Sequence, residues 1–257
     1  MAAPAPAPLA GFPRDIVEAA WGCRASVDYS PLVSTREGEY SAHLPYHSPD
    51  SARALSKHFP GLSGPVLDAT AGVGGDTLHI LHTFPQAQVT AVEVGAGNWE
   101  ALRHNLSTAG YGPRSTAVRA NFLSYARERA ARQEDAARFV FFDPPWGGRG
   151  QWKAAPPHLA LEAPAWATCA PQEGVPLSAA IDQVFLLGLA PRAVAKVPPN
   201  YDIGAFESEL CAGRLVAREP VRKRTPHPLR LGKGPPLAYW LLVMEATQAP
   251  ARGPPPL

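Results

Sequence analysis

The stretch Gly64–Phe84, GPVLDATAGVGGDTLHILHTF, decides the fold. Its apolar run from Val66 to Ala69 predicts a short buried strand, because such runs bounded by turn residues are typical of sheet cores. The glycine-rich turn that follows leads into a helical spacing that includes Leu78 and Leu81. A strand, a turn and a helix in this order form the opening unit of a parallel sheet.

The rest of the chain repeats this alternation of short apolar runs and helical segments of about ten to fifteen residues. The further predicted strands are AQVTAVEV (87–94), RSTAVRANF (114–122), RFVFFD (138–143), RAVAKVP (192–198), RLVAREPV (214–221) and PLAYWLLVMEA (236–246). Helices are predicted in NWEALRHNLSTAGYG (98–112), LSYARERAARQEDAA (123–137), SAAIDQVFLLGLA (178–190) and YDIGAFESELCAG (201–213). Residues 150–176 are predicted to be an irregular insertion. We therefore expect an α/β fold with a doubly wound, mostly parallel sheet of seven strands.

Composition excludes several classes of protein. The chain has 257 residues, of which 46% are hydrophobic and 18% charged, so a sizeable globular core is expected. The formal net charge is only +2, and no apolar run is long enough to cross a bilayer, so we expect no membrane partner. The beginning of the sequence has no basic stretch followed by an apolar block, so no secretion signal is predicted.

The cysteines favour a reducing compartment. Cys23, Cys169 and Cys211 are odd in number, far apart and without metal-ligand spacing. We expect reduced thiols in an intracellular protein of the nucleus or cytoplasm, and a viral protein inside a host cell is compatible with that expectation.

The glycine turn predicts a binding site, because open sheets of this kind bind ligands at the carboxyl ends of their strands. Gly72, Gly74 and Gly75 allow the backbone to approach a ligand closely. A dinucleotide fingerprint would have a third glycine where this chain has Thr77. Asp68, ahead of the turn, would repel a pyrophosphate but could hold an ammonium group. This favours a cationic, amino-acid-like cofactor such as S-adenosylmethionine.

Two further side chains are candidates for the same cofactor. Glu93 ends the second predicted strand, where its carboxylate could accept hydrogen bonds from two ribose hydroxyls. Asn121 follows the third strand, where its amide could bind an adenine edge or could cap the next helix.

A second motif is the stretch Arg138–Gly148, RFVFFDPPWGG, in which an apolar strand ends in a carboxylate, two prolines and a tryptophan. The order of VLDATAGVGGDT (66–77), AVEV (91–94), ANF (120–122) and FFDPPWGG (141–148) resembles that of the class I S-adenosylmethionine-dependent methyltransferases. VLDATAGVGGDT, PPWGG and VPPNYDIGAFES (197–208) together resemble the trimethylguanosine synthase family, which methylates the exocyclic amine of the 7-methylguanosine RNA cap. EYSAHLPYHSPDSARALSKHF (39–59) resembles the entry into that family's first helix more loosely, and the resemblance covers roughly Ser48 to Ala246.

The resemblance implies a set of site residues, with capped RNA or a cap dinucleotide as substrate, no metal and a monomeric enzyme. The cofactor-binding residues implied are Asp68, Ala69, Gly72, Gly74, Asp76, Thr77, Glu93, Asn121 and Phe122. The catalytic residues implied are Asp143, Pro144, Pro145 and Trp146, and the substrate-binding residues are Trp146, Gly147, Lys196 and Asn200.

The resemblance also implies a domain division. Residues 59–246 would form the methyltransferase domain, and 16–58 a helical segment that covers the substrate. Residues 1–15, rich in proline and alanine, and the proline-rich 247–257 would be flexible ends.

The chemistry of an exocyclic amine explains the second motif. Such an amine is a poor nucleophile because its lone pair is delocalised into the ring, so it must be held and oriented. The prolines stiffen the loop, which preorganises the Asp143 carboxylate and nearby carbonyls as hydrogen-bond acceptors. The Trp146 ring offers a face for base stacking, and a positively charged 7-methylguanine adds a cation–π interaction.

The departures from the family leave alternatives open. The family usually has serine at the position of Asp143, and D-P-P followed by an aromatic residue is equally typical of amino-methyltransferases acting on adenine or cytosine in DNA or RNA. A non-enzymatic module that binds capped or single-stranded RNA is a further hypothesis. The basic stretch 214–234 is predicted either to follow an RNA backbone or to be a solvated loop.

Overall fold

The computed structural model describes residues 32–35, 48–146, 157, 159–162, 174–222 and 237–247. Seven of the strands in these residues form one sheet: β1 Ser63–Asp68, β2 Gln86–Glu93, β3 Ser115–Arg119, β4 Val140–Phe142, β7 Arg192–Val197, β8 Gly213–Arg222 and β9 Leu237–Ala246. Two short strands, β5 Ala160–Leu161 and β6 Val175–Pro176, lie between β4 and β7 in the chain. The helices are α1 Ser48–His58, α2 Gly75–Thr83, α3 Ala96–Thr108, α4 Phe122–Ala131, α5 Leu177–Leu186 and α6 Ile203–Glu209. A 3₁₀ turn, Gly112–Arg114, precedes β3.

The strand order is β3-β2-β1-β4-β7-β9-β8. Six strands run in the same direction, and β9 pairs antiparallel with both β7 and β8. The chain moves outward from β1 to β3 and then returns to β4 on the other side of β1, so the order reverses between β1 and β4. The doubly wound, mostly parallel sheet predicted from the sequence is confirmed.

Both faces of the sheet are covered, which is why its central strands are continuous apolar runs. Helices α1, α2 and α3 pack on the face that carries Val66, Phe141 and Val194. Helices α4, α5 and α6 pack on the face that carries Leu67, Phe142 and Ala195. Because successive strand residues point to opposite faces, each strand contributes to both layers.

The chain before β1 is attached to the first of these faces. Leu55 and Phe59 are buried in that layer, and Arg192 Nη1 donates a hydrogen bond to the carbonyl oxygen of His58 at 2.8 Å. Earlier in the chain, Asn105 of α3 exchanges two hydrogen bonds with the backbone of Val33, at 2.8 and 2.9 Å. Parts of the predicted segment 16–58 therefore lie directly against the domain.

The structure differs from the sequence predictions in the insertion and at the ends of helices, since α5 ends at Leu186 and not near residue 190, and α6 at Glu209 and not near residue 213. The insertion contains a small antiparallel sheet, formed by β5 and β6, where only irregular structure is predicted. Helix α4 ends at Ala131 and not near residue 137, because Gln133 takes a left-handed φ of 52°. Of the predicted flexible ends, 1–15 and 248–257 lie outside the described residues. Within the described ranges, no helix is long and apolar enough to span a bilayer.

Candidate active site

The candidate site lies at the carboxyl ends of β1 and β4, where the strand order reverses. The glycine turn follows β1, and the segment Asp143–Trp146, which we call the DPPW elbow, follows β4. The two are joined directly, because the backbone N–H of Asp143 donates a hydrogen bond to Thr70 Oγ1 at 2.7 Å. The sheet thus brings the two motifs together although more than seventy residues separate them.

The Glu93 carboxylate is fixed by the backbone around it. Its Oε2 accepts a hydrogen bond from the Gly72 N–H at 2.8 Å, and its Oε1 accepts one from the Gly95 N–H at 2.7 Å. Glu93 is buried, and Gly72 has a left-handed φ of 54°. A Cβ on Gly95 would lie 2.9 Å from Glu93 Oε1, so a side chain there would displace the Glu93 carboxylate from its present position. Each carboxylate oxygen has a second lone pair, so hydroxyl groups of a ligand can still be accepted.

Asp68 lies deeper than the turn itself. It is fully buried, and Thr77 Oγ1 donates a hydrogen bond to its Oδ2 at 2.5 Å. Burial raises the pKa of Asp68 to about 7, and the nearby carboxylates of Asp76 and Glu93 add to this. The predicted contact of Asp68 with a cofactor ammonium stays a prediction, since Thr77 is its nearest polar partner here.

The turn is tightly packed on its inner side. Gly74 has a φ of 100°, and a Cβ there would lie 2.9 Å from Leu102 Cδ1 of α3. The Ala69 N–H donates a hydrogen bond to the carbonyl oxygen of Phe141 at 2.9 Å, and the Ala69 side chain is buried. These contacts hold the start of α2 against the sheet.

Asn121 caps α4. Its Oδ1 accepts hydrogen bonds from the N–H groups of Leu123 and Ser124, and its Nδ2 donates to the carbonyl oxygen of Glu162 at 2.8 Å. The capping alternative is therefore what the structure shows, and both ends of the amide are engaged. Phe122 is buried and packs edge-on against Phe142. The predicted adenine contacts of Asn121 and Phe122 stay predictions.

A buried charge cluster, Asp76, Asp143 and Lys196, lies between α2 and the DPPW elbow. Lys196 Nζ donates hydrogen bonds to Asp143 Oδ2 at 2.6 Å and to Asp76 Oδ2 at 3.0 Å. Only 6% of the Lys196 side chain is exposed, and 10% of that of Asp143. A substrate phosphate could be reached by this ammonium only if it left the two carboxylates, so the predicted substrate contact of Lys196 stays a prediction.

The pKa values of Asp143 and Lys196 are both raised. Burial raises the pKa of Asp143 to about 8; the Lys196 ammonium opposes this shift, whereas the Asp76 carboxyl adds to it. Burial alone would lower the pKa of Lys196, but the Asp143 and Asp76 carboxylates outweigh it and raise that pKa above its usual range. Lys196 is therefore an ammonium at any physiological pH, and the proton equilibrium of the cluster rests on its carboxyl groups.

Trp146 is half-buried and lies beside Tyr239 and Lys196. Its ring lies 6.5 Å from that of Tyr239, at 63° to it, and Lys196 Nζ lies 6.0 Å from the indole centroid. Within the elbow, Pro144 is buried and Pro145 is exposed. The stacking of a base on Trp146 stays a prediction, and Gly147 lies outside the described residues. Asn200 follows β7, on the turn that leads to α6.

Three buried polar residues near the site are not among those that the sequence predicts. Tyr239 of β9 is buried with its ring centroid 5.3 Å from Lys196 Nζ, and Ser51 of α1 lies beside its hydroxyl. Ser51 Oγ lies 3.1 Å from His79 Nε2, also buried. A polar residue in a strand as apolar as LAYWLLV is the signal that marks Tyr239, whereas nothing local marks Ser51 or His79.

The described part of the basic stretch is largely ion-paired. Arg214 pairs with Glu245, and Arg218 Nη2 lies 2.6 Å from Glu207 Oε2. Glu219 is paired with Lys57 and His58, each at 2.7 Å. Residues 223–236 lie outside the described part. Among described residues, no group of three or more histidine, cysteine, aspartate or glutamate side chains could hold a metal ion.

The donor and acceptor chemistry of the crevice fits a cationic ligand that carries hydroxyl groups. Four carboxyl groups, those of Asp68, Asp76, Glu93 and Asp143, lie in its described part beside the cation Lys196. A positive ligand would be favoured by the ionised forms of these groups, and the accepting oxygens of Glu93 suit hydroxyl donors. A pyrophosphate would be repelled. Within the described site, the residues therefore fit S-adenosylmethionine, with its sulfonium, ammonium and ribose hydroxyls.

Comparisons with known proteins agree with this chemistry. A family model described as RNA cap guanine-N2 methyltransferase matches residues 63–163, fewer than half of the 257 residues. A protein of Porphyromonas gingivalis that carries a provisional methyltransferase name is similar in structure, with a TM-score of 0.52 and 14% identity over 86% of this chain and 45% of that one. A SAM-dependent methyltransferase from Agrobacterium tumefaciens has a TM-score of 0.51 and 12% identity over 80% and 64% of the two chains. A search of curated proteins finds no match.

The chain thus spans less than two thirds of either of these structures, and at such identities their likeness shows the fold alone. That fold is the Rossmann-like sheet of the class I methyltransferases. Fold, site chemistry and family match together support a SAM-dependent methyltransferase with S-adenosylmethionine as its cofactor.

Proposed function

We propose that the protein transfers a methyl group to the exocyclic N2 amine of a 7-methylguanosine RNA cap. The observation that carries the proposal is the direct junction of the glycine turn with the DPPW elbow, through the hydrogen bond from the Asp143 N–H to Thr70 Oγ1. A methyl donor held on the turn and an amine held on the elbow would lie side by side. The cap guanine-N2 family match, which spans both motifs, supports the choice of base.

The cofactor would be held at the ends of β1 and β2, by Glu93 and the backbone of the glycine turn. When bound, S-adenosylmethionine supplies a methyl group on a positively charged sulfur, which departs as a neutral thioether. The Glu93 carboxylate, already fixed by two backbone N–H groups, would accept hydrogen bonds from the ribose hydroxyls.

The elbow would hold the base. The Asp143 carboxylate accepts a hydrogen bond from the amine, which orients the nitrogen lone pair out of the ring plane. The nitrogen gives that pair to the new N–C bond and then releases one proton, for which the same carboxylate is the nearest base. The Trp146 ring stacks on the purine, and the negative charge of the crevice favours a base made cationic by N7 methylation.

The test is methyl transfer measured by mass spectrometry, with a 7-methylguanosine cap dinucleotide, the same dinucleotide without the N7 methyl group, and uncapped RNA and DNA oligonucleotides. The proposal predicts a mass gain of one or two methyl groups on the 7-methylated cap alone. Fragmentation should place the gain on the exocyclic amine. Methylation of the uncapped oligonucleotides with no gain on the cap would overturn the proposal.

A second function is favoured by one residue. Asp143 stands where trimethylguanosine synthases usually have serine, and D-P-P-W is typical of enzymes that methylate the amine of adenine or cytosine. The oligonucleotides of the same experiment test this alternative, since N6-methyladenine or N4-methylcytosine would be found in their digests.

A further inference from the structure

The buried cluster Asp76–Lys196–Asp143 is more than the proposed function requires. A lysine in the middle of a buried strand is rare unless it is paired, because an isolated ammonium is costly to remove from water. Lys196 lies on β7 between the buried residues Ala195 and Val197, and its own exposure is 5%. Its position therefore calls for an explanation beyond solubility or RNA contact.

The geometry of the sheet accounts for the meeting of these groups. Side chains alternate between faces, so Lys196 shares the face of Val194, and Asp143 that of Phe141. Tyr239, also on this face, lies beside both. The first turn of α2 covers the same face and brings Asp76. The Lys196 ammonium is thereby held between the Asp76 carboxylate of α2 and the Asp143 carboxylate of the DPPW elbow.

We propose that Lys196 is a positioning residue, which favours the ionised form of the Asp143 carboxyl group and orients it for the reacting amine. The inference rests on the proposed amine-methyltransferase activity, but it does not depend on which base carries the amine. Its 2.6 Å hydrogen bond to Oδ2, together with the adjoining Asp76 carboxyl group, fixes the rotation of the Asp143 carboxyl group.

Asp76 acts in the opposite sense. Two buried carboxyl groups share one ammonium, so ionising both leaves one negative charge in excess, and Asp76 makes the ionised form of Asp143 less favourable. The charged and titratable groups that face Asp143 are thus Lys196 from β7, Asp76 from α2 and Tyr239 from β9. The balance between Lys196 and Asp76 sets the pH at which Asp143 becomes an effective acceptor.

Two variants move this balance in opposite directions. Lys196→Met removes the cation at similar volume, so the rising limb of the pH profile of kcat should move upward by about one pH unit or more. At neutral pH kcat should fall about tenfold or more, whereas KM for the nucleotide substrate should change less than about threefold. Asp76→Asn removes the competing carboxylate, so the limb should move to lower pH, measured at saturating cofactor.

Arg129→Met is a matched control. Arg129 of α4 is a buried cation, and its Nη1 lies 2.6 Å from Glu134 Oε2. Helix α4 packs on the opposite face of the sheet. Its loss should lower the melting temperature and leave the pH limb in place. If Lys196→Met behaves like this control, Lys196 has only a structural role and the proposal is wrong.

The KM values separate a further outcome. Were Lys196 a phosphate contact, Lys196→Met would raise KM and weaken the salt dependence of RNA binding, with no change in the limb. That result, or a shift of both variants in the same direction, would overturn the proposal.

A measurement without turnover keeps the inference separate from the choice of substrate. In protein labelled with ¹³C at the aspartate carboxyl carbon, the Asp143 signal, assigned by its loss in Asp143→Asn, can be titrated by NMR. We expect its midpoint to rise in Lys196→Met and to fall in Asp76→Asn. An unchanged midpoint in both variants contradicts the proposal, even in a protein that methylates the cap.

Discussion

The two sides of the crevice stabilise their buried carboxylates in different ways. On the β1–β2 side, Asp68 and Glu93 are satisfied by neutral donors, namely the Thr77 hydroxyl and two backbone N–H groups. On the β4–β7 side, Asp143 and Asp76 share the ammonium of Lys196. The first side thus holds its carboxyl groups with neutral donors, whereas on the second side an ammonium balances part of the carboxylate charge.

This difference suggests that the two sides of the crevice have different functions. The β1–β2 side is suited to bind the cofactor, because a sulfonium and an ammonium would be favoured beside the Asp68 and Glu93 carboxyl groups. The β4–β7 side is suited to bind and orient an amine, because its carboxylate is held in one position. Substitutions on the first side should therefore change cofactor affinity, and those on the second should change turnover.

The largest effect is expected at Asp143. Asp143→Ala removes the amine acceptor, so kcat should fall by about 10²- to 10³-fold while cofactor affinity stays within about threefold. Steady-state kinetics and calorimetry measure the two quantities. Asp182→Ala is a matched control, since Asp182 is a buried acid of α5 that accepts hydrogen bonds from the Cys211 and Ala212 N–H groups. A comparable loss of turnover in both variants would contradict this difference in function.

A smaller effect, on cofactor affinity and not on turnover, is expected at Glu93. Glu93→Gln removes the charge and one of the acceptors fixed by the backbone, so the Kd for the cofactor should rise about 10- to 100-fold. The kcat at saturating cofactor should change much less. Calorimetry with S-adenosylmethionine checks this, and an unchanged Kd would remove Glu93 from the cofactor site.

At Trp146 we expect a loss of base affinity. Trp146→Ala should weaken binding of the cap dinucleotide by about 1 to 3 kcal/mol, because the stacking surface is removed, and should leave the cofactor Kd nearly unchanged. Fluorescence or calorimetric titration with the cap measures it. Trp240 of β9, half-buried against the opposite layer, is the control, since Trp240→Ala should affect stability but not cap affinity. A loss of cofactor binding alone in Trp146→Ala would contradict the stacking role.

The pH dependence of stability tests the burial of Asp68. Because its pKa is raised from 3.8 to about 7, the folded protein keeps a proton that the unfolded chain loses near pH 4. The stability that this proton contributes is present at low pH and is lost as pH rises toward 7. Between pH 5 and 8 the wild type should lose about 1 to 2 kcal/mol more than Asp68→Asn in urea denaturation. Parallel curves would show that Asp68 ionises at its ordinary pKa.

The smallest effect concerns RNA. Because Arg214 and Arg218 are paired with acids, the double alanine variant should hardly change the slope of log affinity against log salt. Substituting Arg222, Lys223 and Arg224 should reduce that slope by about one for each RNA phosphate that the variant no longer binds. An unchanged slope in the second variant would leave the basic stretch as a solvated loop.

The sequence predicts the β1–β2 side better than the β4–β7 side, for a physical reason. The glycine turn and the positions of Asp68 and Glu93 depend on local backbone geometry, which short patterns such as GVGG and AVEV encode. The charge cluster depends on how side chains alternate between the two faces of the sheet along β4, β7 and β9, and on the placement of α2 against one of these faces. Lys196, within RAVAKVP, carries a visible signal, since a lysine in a buried strand needs a partner, but the identity of that partner follows only from the strand order.

Packing also decides the smaller differences. Asn121 has two roles compatible with its position, and the structure shows the helix cap because the first N–H groups of α4 need an acceptor. The pairing of Ala160–Leu161 with Val175–Pro176 could not be predicted, since two-residue strands have no periodicity to detect.

A crystal structure with S-adenosylhomocysteine and a 7-methylguanosine cap dinucleotide tests the central claim most directly. We expect the guanine N2 amine to lie within hydrogen-bonding distance of the Asp143 carboxylate, with Lys196 still bonded to its Oδ2. The cofactor sulfur should lie on the side of the nitrogen away from that carboxylate. The purine should stack on Trp146. A base bound away from the elbow, with the Asp143 carboxylate contacting only Lys196 and Asp76, would contradict it.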